Sequence, residues 1–404
     1  MLRTHRFVGG AALAIVALVA ACTKSKEVAT QVAVNPLFQT YVALGNSLTA
    51  GFQSGGINDS TQRQGYAALF AQAANTRFAL PLLNKPGCPP PVDNFLTQHR
   101  VGGGSATDCF LRANTAGFVN DLAVPGAATI DPVSLTTVNS NALTQFILGG
   151  QSQVFRASQL NPTFVSMWIG NNDALGAAAS GLLTKTIIPG TPPDTISLGL
   201  TDTIAFVKNY KADIGALTAL SSVKGGVLFA VVDVTNAALM FHSNLLFTAY
   251  KAEFDAFAGQ VTAVDPSCMS NVALISFQMA GAIRAGQHPP AITCQPGLPG
   301  LAGIFVLDSV EVGTVQQYVA TYNRYIQAKA DSIGWAYVDI NPILVQLKAS
   351  GAIPIFPYPV PDTAFGTYVS LDGIHPTIKA HTLIANEMID SVNAKYGSSI
   401  PAIP

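Results

Sequence analysis

Charge is scarce in this chain. Lys, Arg, Asp and Glu make up only 11% of its 404 residues, less than half of the usual quarter, and the formal net charge is −1. No basic stripe exists to meet phosphates, so nucleic acid is not an expected partner. Histidine and cysteine are scarce as well, with six and five residues. No C-x-x-C and no H-E-x-x-H spacing occurs, so no metal or cofactor is expected. Gly102-Gly103-Gly104 is not followed by Lys-Ser/Thr and reads as a flexible loop, not a phosphate cradle. Beyond the N-terminus, no run is long and apolar enough to span a bilayer.

What is present begins at the N-terminus. Arg3 and Arg6 form a positive region, Phe7 to Ala21 form a 15-residue apolar stretch, and Val19-Ala20-Ala21-Cys22 ends it. This is the layout of an export signal over 1–21. A Cys directly after small residues resembles the bacterial lipobox, which implies that Cys22 is lipidated and becomes the new N-terminus. Residues 22–36 are then the lipidated Cys and a polar tether. The expected location is the bacterial cell envelope, lipid-anchored, with the outer membrane (periplasmic or surface face) first. Losing Arg3 and Arg6 takes the net charge from −1 to −3.

Export places the rest of the chain in an oxidising compartment. Cys88, Cys109, Cys268 and Cys294 allow three pairings. The local ones, Cys88–Cys109 and Cys268–Cys294, are favoured because each lies within one loop-rich segment. Each would stabilise its loop by about 3 kcal/mol in the chain-entropy model.

From 37 to 400 the pattern is one α/β domain. Continuous apolar runs at 39–44, 163–169, 227–234 and 335–340 read as buried strands of a parallel sheet covered on both faces. Segments 201–220, 315–332 and 376–396 read as helices. The last has Pro376 at its start and Gly397 just past its end. Segments 79–118 and 265–303 are loop insertions bearing the cysteines, 176–200 is a loop or lid, and 354–369 is an aromatic, Pro-rich loop. Strands alternating with helices predict a three-layer α/β/α sandwich.

A serine hydroxyl becomes a useful nucleophile only beside a His that is oriented by a carboxylate, with donors for the oxyanion. Among the six His, only His375 has a carboxylate at short spacing, in Asp372-Gly373-Ile374-His375. His99, His242, His288 and His381 read as surface or core residues. Four segments stand in order: Gly45-Asn46-Ser47-Leu48 after the first strand, Leu122-Ala123-Val124-Pro125-Gly126-Ala127, Gly170-Asn171-Asn172-Asp173 after the second, and Asp372 to Pro376 before the last helix. Together they resemble the blocks of the SGNH/GDSL hydrolases. The α/β-hydrolase elbow G-x-S-x-G does not fit, because Thr49 stands where its last Gly would be.

The resemblance implies a central, mainly parallel five-stranded sheet and a serine esterase or lipase. Ser47 would be the nucleophile, His375 its base and Asp372 the orienting acid. Ser47 N–H, Gly126 N–H and the Asn172 amide would face the oxyanion. The substrate would be an ester, either lipid or acylated glycan. A carbohydrate O-acetylesterase and a non-catalytic binding lipoprotein are the alternative readings. The blander readings are a helix N-cap at Ser47, a helix-start network at Asp372 and His375, an Asx turn at Asn172 and a turn glycine at Gly126. Asn46 departs from the family's usual Asp. Phe356, Tyr358, Phe365 and Tyr368 either line an acyl pocket or pack their own loop. Oligomeric state is not legible.

Overall fold

The computed structural model describes residues 34–111, 117–184, 186–188, 195–197, 199–297 and 303–404. The expected export signal, Cys22 and nearly all of the expected tether lie outside the described residues. Among the described residues, no helix is long and apolar enough to cross a membrane.

Four parallel strands form the central sheet: β1 (Tyr41–Gly45), β2 (Phe164–Trp168), β3 (Gly225–Phe229) and β4 (Ala336–Val338), side by side in that order. Segment 120–124 runs along the free edge of β1. Ala43 N–H donates to Asn120 O at 2.9 Å, and Leu122 N–H donates to Ala43 O at 2.9 Å. The sheet thus has four strands where five are expected, because the edge segment makes only an isolated bridge at Asp121 and no strand of its own. Because the edge segment follows β1 in the chain but lies on its other side from β2, β1 ends at a topological switch point, where open α/β sheets place their ligands.

The strands are buried on both faces, which is why they read as unbroken apolar runs. Tyr41, Ala43, Phe164, Trp168, Val227 and Phe229 point into one core. That core is covered by helices α2 (Tyr66–Ala73) and α8 (Ile378–Tyr396). Val42, Leu44, Val165, Met167 and Leu228 point into the other. Its cover is α3 (Gln153–Leu160), α4 (Asn172–Ser180), α5 (Thr203–Thr218) and α6 (Ser309–Ile333). Helix α6 shows how local signals set an element. Asp308 and Glu311 form a capping box at its start, Gly334 closes it in the left-handed conformation, and Val315, Val319, Tyr322 and Ile326 bury one stripe. A short helix, α7 (Asn341–Ala349), follows β4.

Both local disulfides form, Cys88–Cys109 and Cys268–Cys294. The second insertion is larger than the sequence suggests. It includes a three-stranded antiparallel sheet from Met240–His242, Leu274–Ser276 and Val306–Leu307, and a separate core around Phe241, Phe254, Met279 and Ile283. The expected loop at 176–200 begins inside α4, and residues 185, 189–194 and 198 lie outside the described residues.

Candidate active site

The chain leaves β1 through a tight turn at Gly45. A Cβ on Gly45 would sit 2.4 Å from Thr49 Oγ1 and 2.7 Å from the Trp168 carbonyl oxygen, so position 45 requires glycine. The buried amide of Gln153 on α3 fixes this corner. Gly45 N–H donates to its Oε1 and its Nε2 donates to Gly45 O, both at 2.9 Å. Asn46 then caps the one-turn helix α1 (Ser47–Ala50), its Oδ1 accepting from Leu48 N–H at 3.1 Å. The N-cap is thus Asn46, and Ser47 is the first helical residue. Asn46 is buried and its Nδ2 has no partner.

The partner of Ser47 arrives from the other end of the chain. His375 Nε2 lies 2.8 Å from Ser47 Oγ, and His375 Nδ1 lies 2.8 Å from Asp372 Oδ2. Gly373 makes this tight loop possible. Its φ is +71°, and a Cβ there would meet Leu239 Cβ and the Phe365 ring at 2.9 Å. Asp372 also accepts from the backbone N–H groups of Gly55 (2.7 Å), Ile374 (2.9 Å) and His375 (2.9 Å), and from Ser370 Oγ (3.1 Å). Burial pushes its carboxyl up, but the charge of His375 and these hydrogen bonds outweigh that and hold it well below the usual carboxylate range. An ionised carboxylate only accepts, so the bonded Nδ1 carries the proton. Nε2 is then free to accept from the Ser47 hydroxyl.

The second and third blocks meet beside this pair. Asn172 Nδ2 donates to Ala127 O at 2.8 Å. Asp173 accepts from Thr129 N–H at 2.9 Å and from Thr129 Oγ1 at 2.7 Å. Burial raises the Asp173 carboxyl to about 6, with the Thr129 and Thr201 hydrogen bonds opposing. Gly126 adopts φ +88°, a conformation that favours glycine. Ser47, Asn171, Asn172 and His375 line a cavity of about 70 Å³. Gly126 does not line it. A larger cavity of about 420 Å³ lies on the far side of Asp372 and touches neither Ser47 nor His375. Among the described residues, no group of three or more His, Cys, Asp or Glu is placed to hold a metal ion.

The sequence model of GDSL-like lipases and acylhydrolases matches residues 41–388. The chain belongs to that family. This acylhydrolase is accordingly an ester-hydrolysing enzyme. Among solved structures it is similar to a hydrolase from the metagenome of Lake Arreo, Spain (14% identity, TM-score 0.36, covering 87% of this chain and 94% of that one). It is also similar to a variant of the acetyl-xylooligosaccharide esterase of Geobacillus stearothermophilus (11%, TM-score 0.35, 87% and 93%). A third is a family two carbohydrate esterase from Clostridium thermocellum (12%, TM-score 0.36, 90% and 65%). No curated protein matches the chain.

Several residues of this acylhydrolase's candidate site carry no signal in the sequence. Ser54 and Ser370 staple the two halves together: Ser54 N–H donates to Ser370 Oγ at 2.8 Å, and Leu371 N–H to Ser54 Oγ at 3.2 Å. The Phe52 ring packs on His375, with centroids 4.9 Å apart. Asn171 Oδ1 accepts from Val232 N–H at 2.9 Å. His381, read as a non-site residue, is buried below the site. Its Nδ1 accepts from Tyr66 N–H at 3.3 Å, and burial first, then the charge of His375, push it down to about 3. Two aromatic residues of the loop at 354–369 pack on other segments. Phe356 lies among Phe241, Tyr250 and Phe277, Phe365 lies against Phe95, and Tyr358 is exposed. Phe356 thus belongs to the insertion core, whereas Phe365 stays beside Gly373 and Tyr368 lines a cavity with Val369, Ile374 and Pro376.

Proposed function

We propose that the chain is a serine esterase that works through Ser47, His375 and Asp372. The observation that carries the reading is the continuous hydrogen-bonded line from Ser47 Oγ through His375 to Asp372, each link 2.8 Å, at the wall of a cavity. Ser47 Oγ attacks the ester carbonyl carbon while its proton passes to His375 Nε2. The imidazolium that forms is held by the ionised Asp372. The negative charge on the carbonyl oxygen faces the second N–H of Asn172 and the backbone N–H of Ser47. Collapse breaks the bond to the alkoxide, which takes the proton from His375. Water then repeats the sequence on the acyl-serine and releases the acid.

The test is hydrolysis of p-nitrophenyl esters by the detergent-solubilised full chain beside Ser47→Ala. Turnover should fall by about 10⁶, the scale on which a nucleophile acting with its base is lost. A folded Ser47→Ala protein with undiminished turnover sinks the reading.

The export signal and lipobox support a lipid-anchored place in the bacterial cell envelope. In a bacterial host the full chain should incorporate a labelled fatty acid, and Cys22→Ala should abolish the label. Labelling that survives Cys22→Ala, or no labelling of the unaltered chain, rules out that anchor.

A further inference from the structure

Helix α7 carries Ile340, Ile343, Leu344 and Leu347 in and just before its first turns, at spacings i, i+3, i+4 and i+7. Such a stripe is expected to be buried against a core. Yet α7 buries no residue at all, and these four are only half-buried. They wall a cavity of about 90 Å³, whose opposite side is Ala380 and Leu383 of α8. The floor includes Trp168, whose Nε1–H is already used on Ala230 O at 2.9 Å. Among the described lining residues, the Tyr368 hydroxyl is the one other side-chain polar group.

This cavity adjoins the one over Ser47. Leu48, Val232, Leu344, Val369 and Ile374 line both. Leu48 is the residue directly after Ser47, so a chain attached at Ser47 Oγ passes it on leaving the site.

Resting on the esterase reading above, we infer that the apolar cavity between α7 and α8 takes the acyl chain of the substrate and selects medium-chain esters. Its size sets the length. A water needs roughly 10–15 Å³ of such space, and a methylene is of similar size, so the 90 Å³ holds about six carbons. The smaller cavity over Ser47 holds the carbonyl and the first carbons. The preferred acyl chain is therefore about eight to ten carbons long. Neither acetyl, which would leave the cavity empty, nor palmitoyl, which would overrun it, is the best substrate.

The experiment compares kcat/KM of the full chain in detergent on p-nitrophenyl esters from acetate to palmitate. The value should rise by up to about fourfold per methylene, the transfer gain of one CH₂ group, and peak between octanoate and decanoate. Leu347→Trp and Leu383→Trp each place a bulky ring in the cavity from a half-buried position. Each should lower the octanoate-to-acetate ratio of kcat/KM at least tenfold. A wild-type preference for acetate or palmitate overturns the inference, as does a ratio that neither folded variant moves; the esterase reading survives both. Absence of Ser47-dependent turnover on every ester overturns the two together.

Discussion

On one side of Ser47, residues 369–376 form a loop whose polar groups are almost all paired. Asp372 accepts five hydrogen bonds, and Ser370 and Ser54 bind the loop to the turn that follows α1. On the other side stands α7, with a stripe of half-buried aliphatic groups and no buried residue. The first wall holds an imidazole within hydrogen-bond reach of a hydroxyl, where a misplacement of about 1 Å can cost 10²-fold in rate, so many short bonds converge on it. The second has only to exclude water and offer apolar surface to a flexible chain, which loose packing allows. Changes to the first wall should therefore act on kcat, and changes to the second on acyl preference.

The largest effect is expected at Asp372. Asp372→Asn keeps the shape but brings an N–H donor or a neutral acceptor to His375 Nδ1, and with it the wrong tautomer. By analogy with the serine-protease triad, kcat should fall by about 10⁴ with little change in KM. Steady-state kinetics on one ester, with circular dichroism to verify folding, decides the matter. A fall shared by KM and kcat on every chain length would mean that the loop had collapsed, and the separation between the walls would be lost.

Asn172 is next. Its amide binds Ala127 O with one N–H and faces the Ser47 cavity from the start of α4. Asn172→Ala should lower kcat by about 10²–10³ while leaving chain-length preference intact. A changed chain-length profile would place Asn172 in acyl binding instead and blur the two walls.

Much of the first wall was legible in the sequence, and almost none of the second. The four blocks carry rare residue types at fixed local spacing, and the strands that present them are unbroken apolar runs, so β1 and β2 end within a residue or two of where the sequence puts them. Gln153, Ser54 and Ser370 escaped because each acts on a residue 108 to 317 positions away, and nothing local marks such a pair. Helix α7 escaped for a different reason. Its nine residues begin right after β4 with Asn341-Pro342, so its stripe merges with the apolar run of the strand. Even where such a stripe is seen, periodicity does not distinguish a face that packs on protein from one that borders a cavity. Of the aromatic residues before His375, Tyr368 lines the cavity, while Phe356 packs into the insertion core and Tyr358 is exposed, a division that adjacency in the sequence does not reveal.

The smallest effect tests the contrast most directly, because the same chemical change can be made in two helices of similar pattern. Ile326 of α6 is fully buried in the core, whereas Ile343 of α7 is half-buried at the cavity. Ile326→Ala removes three carbons from a close-packed interior and should destabilise the fold by about 2–5 kcal/mol. Ile343→Ala opens an existing cavity further and exposes little that was dry, so its loss should stay below about 1 kcal/mol. Urea unfolding with a common slope measures both. If Ile343→Ala proved as damaging as Ile326→Ala, the α7 stripe would be core after all, and its place beside Ser47 would be a matter of folding instead of acyl selection.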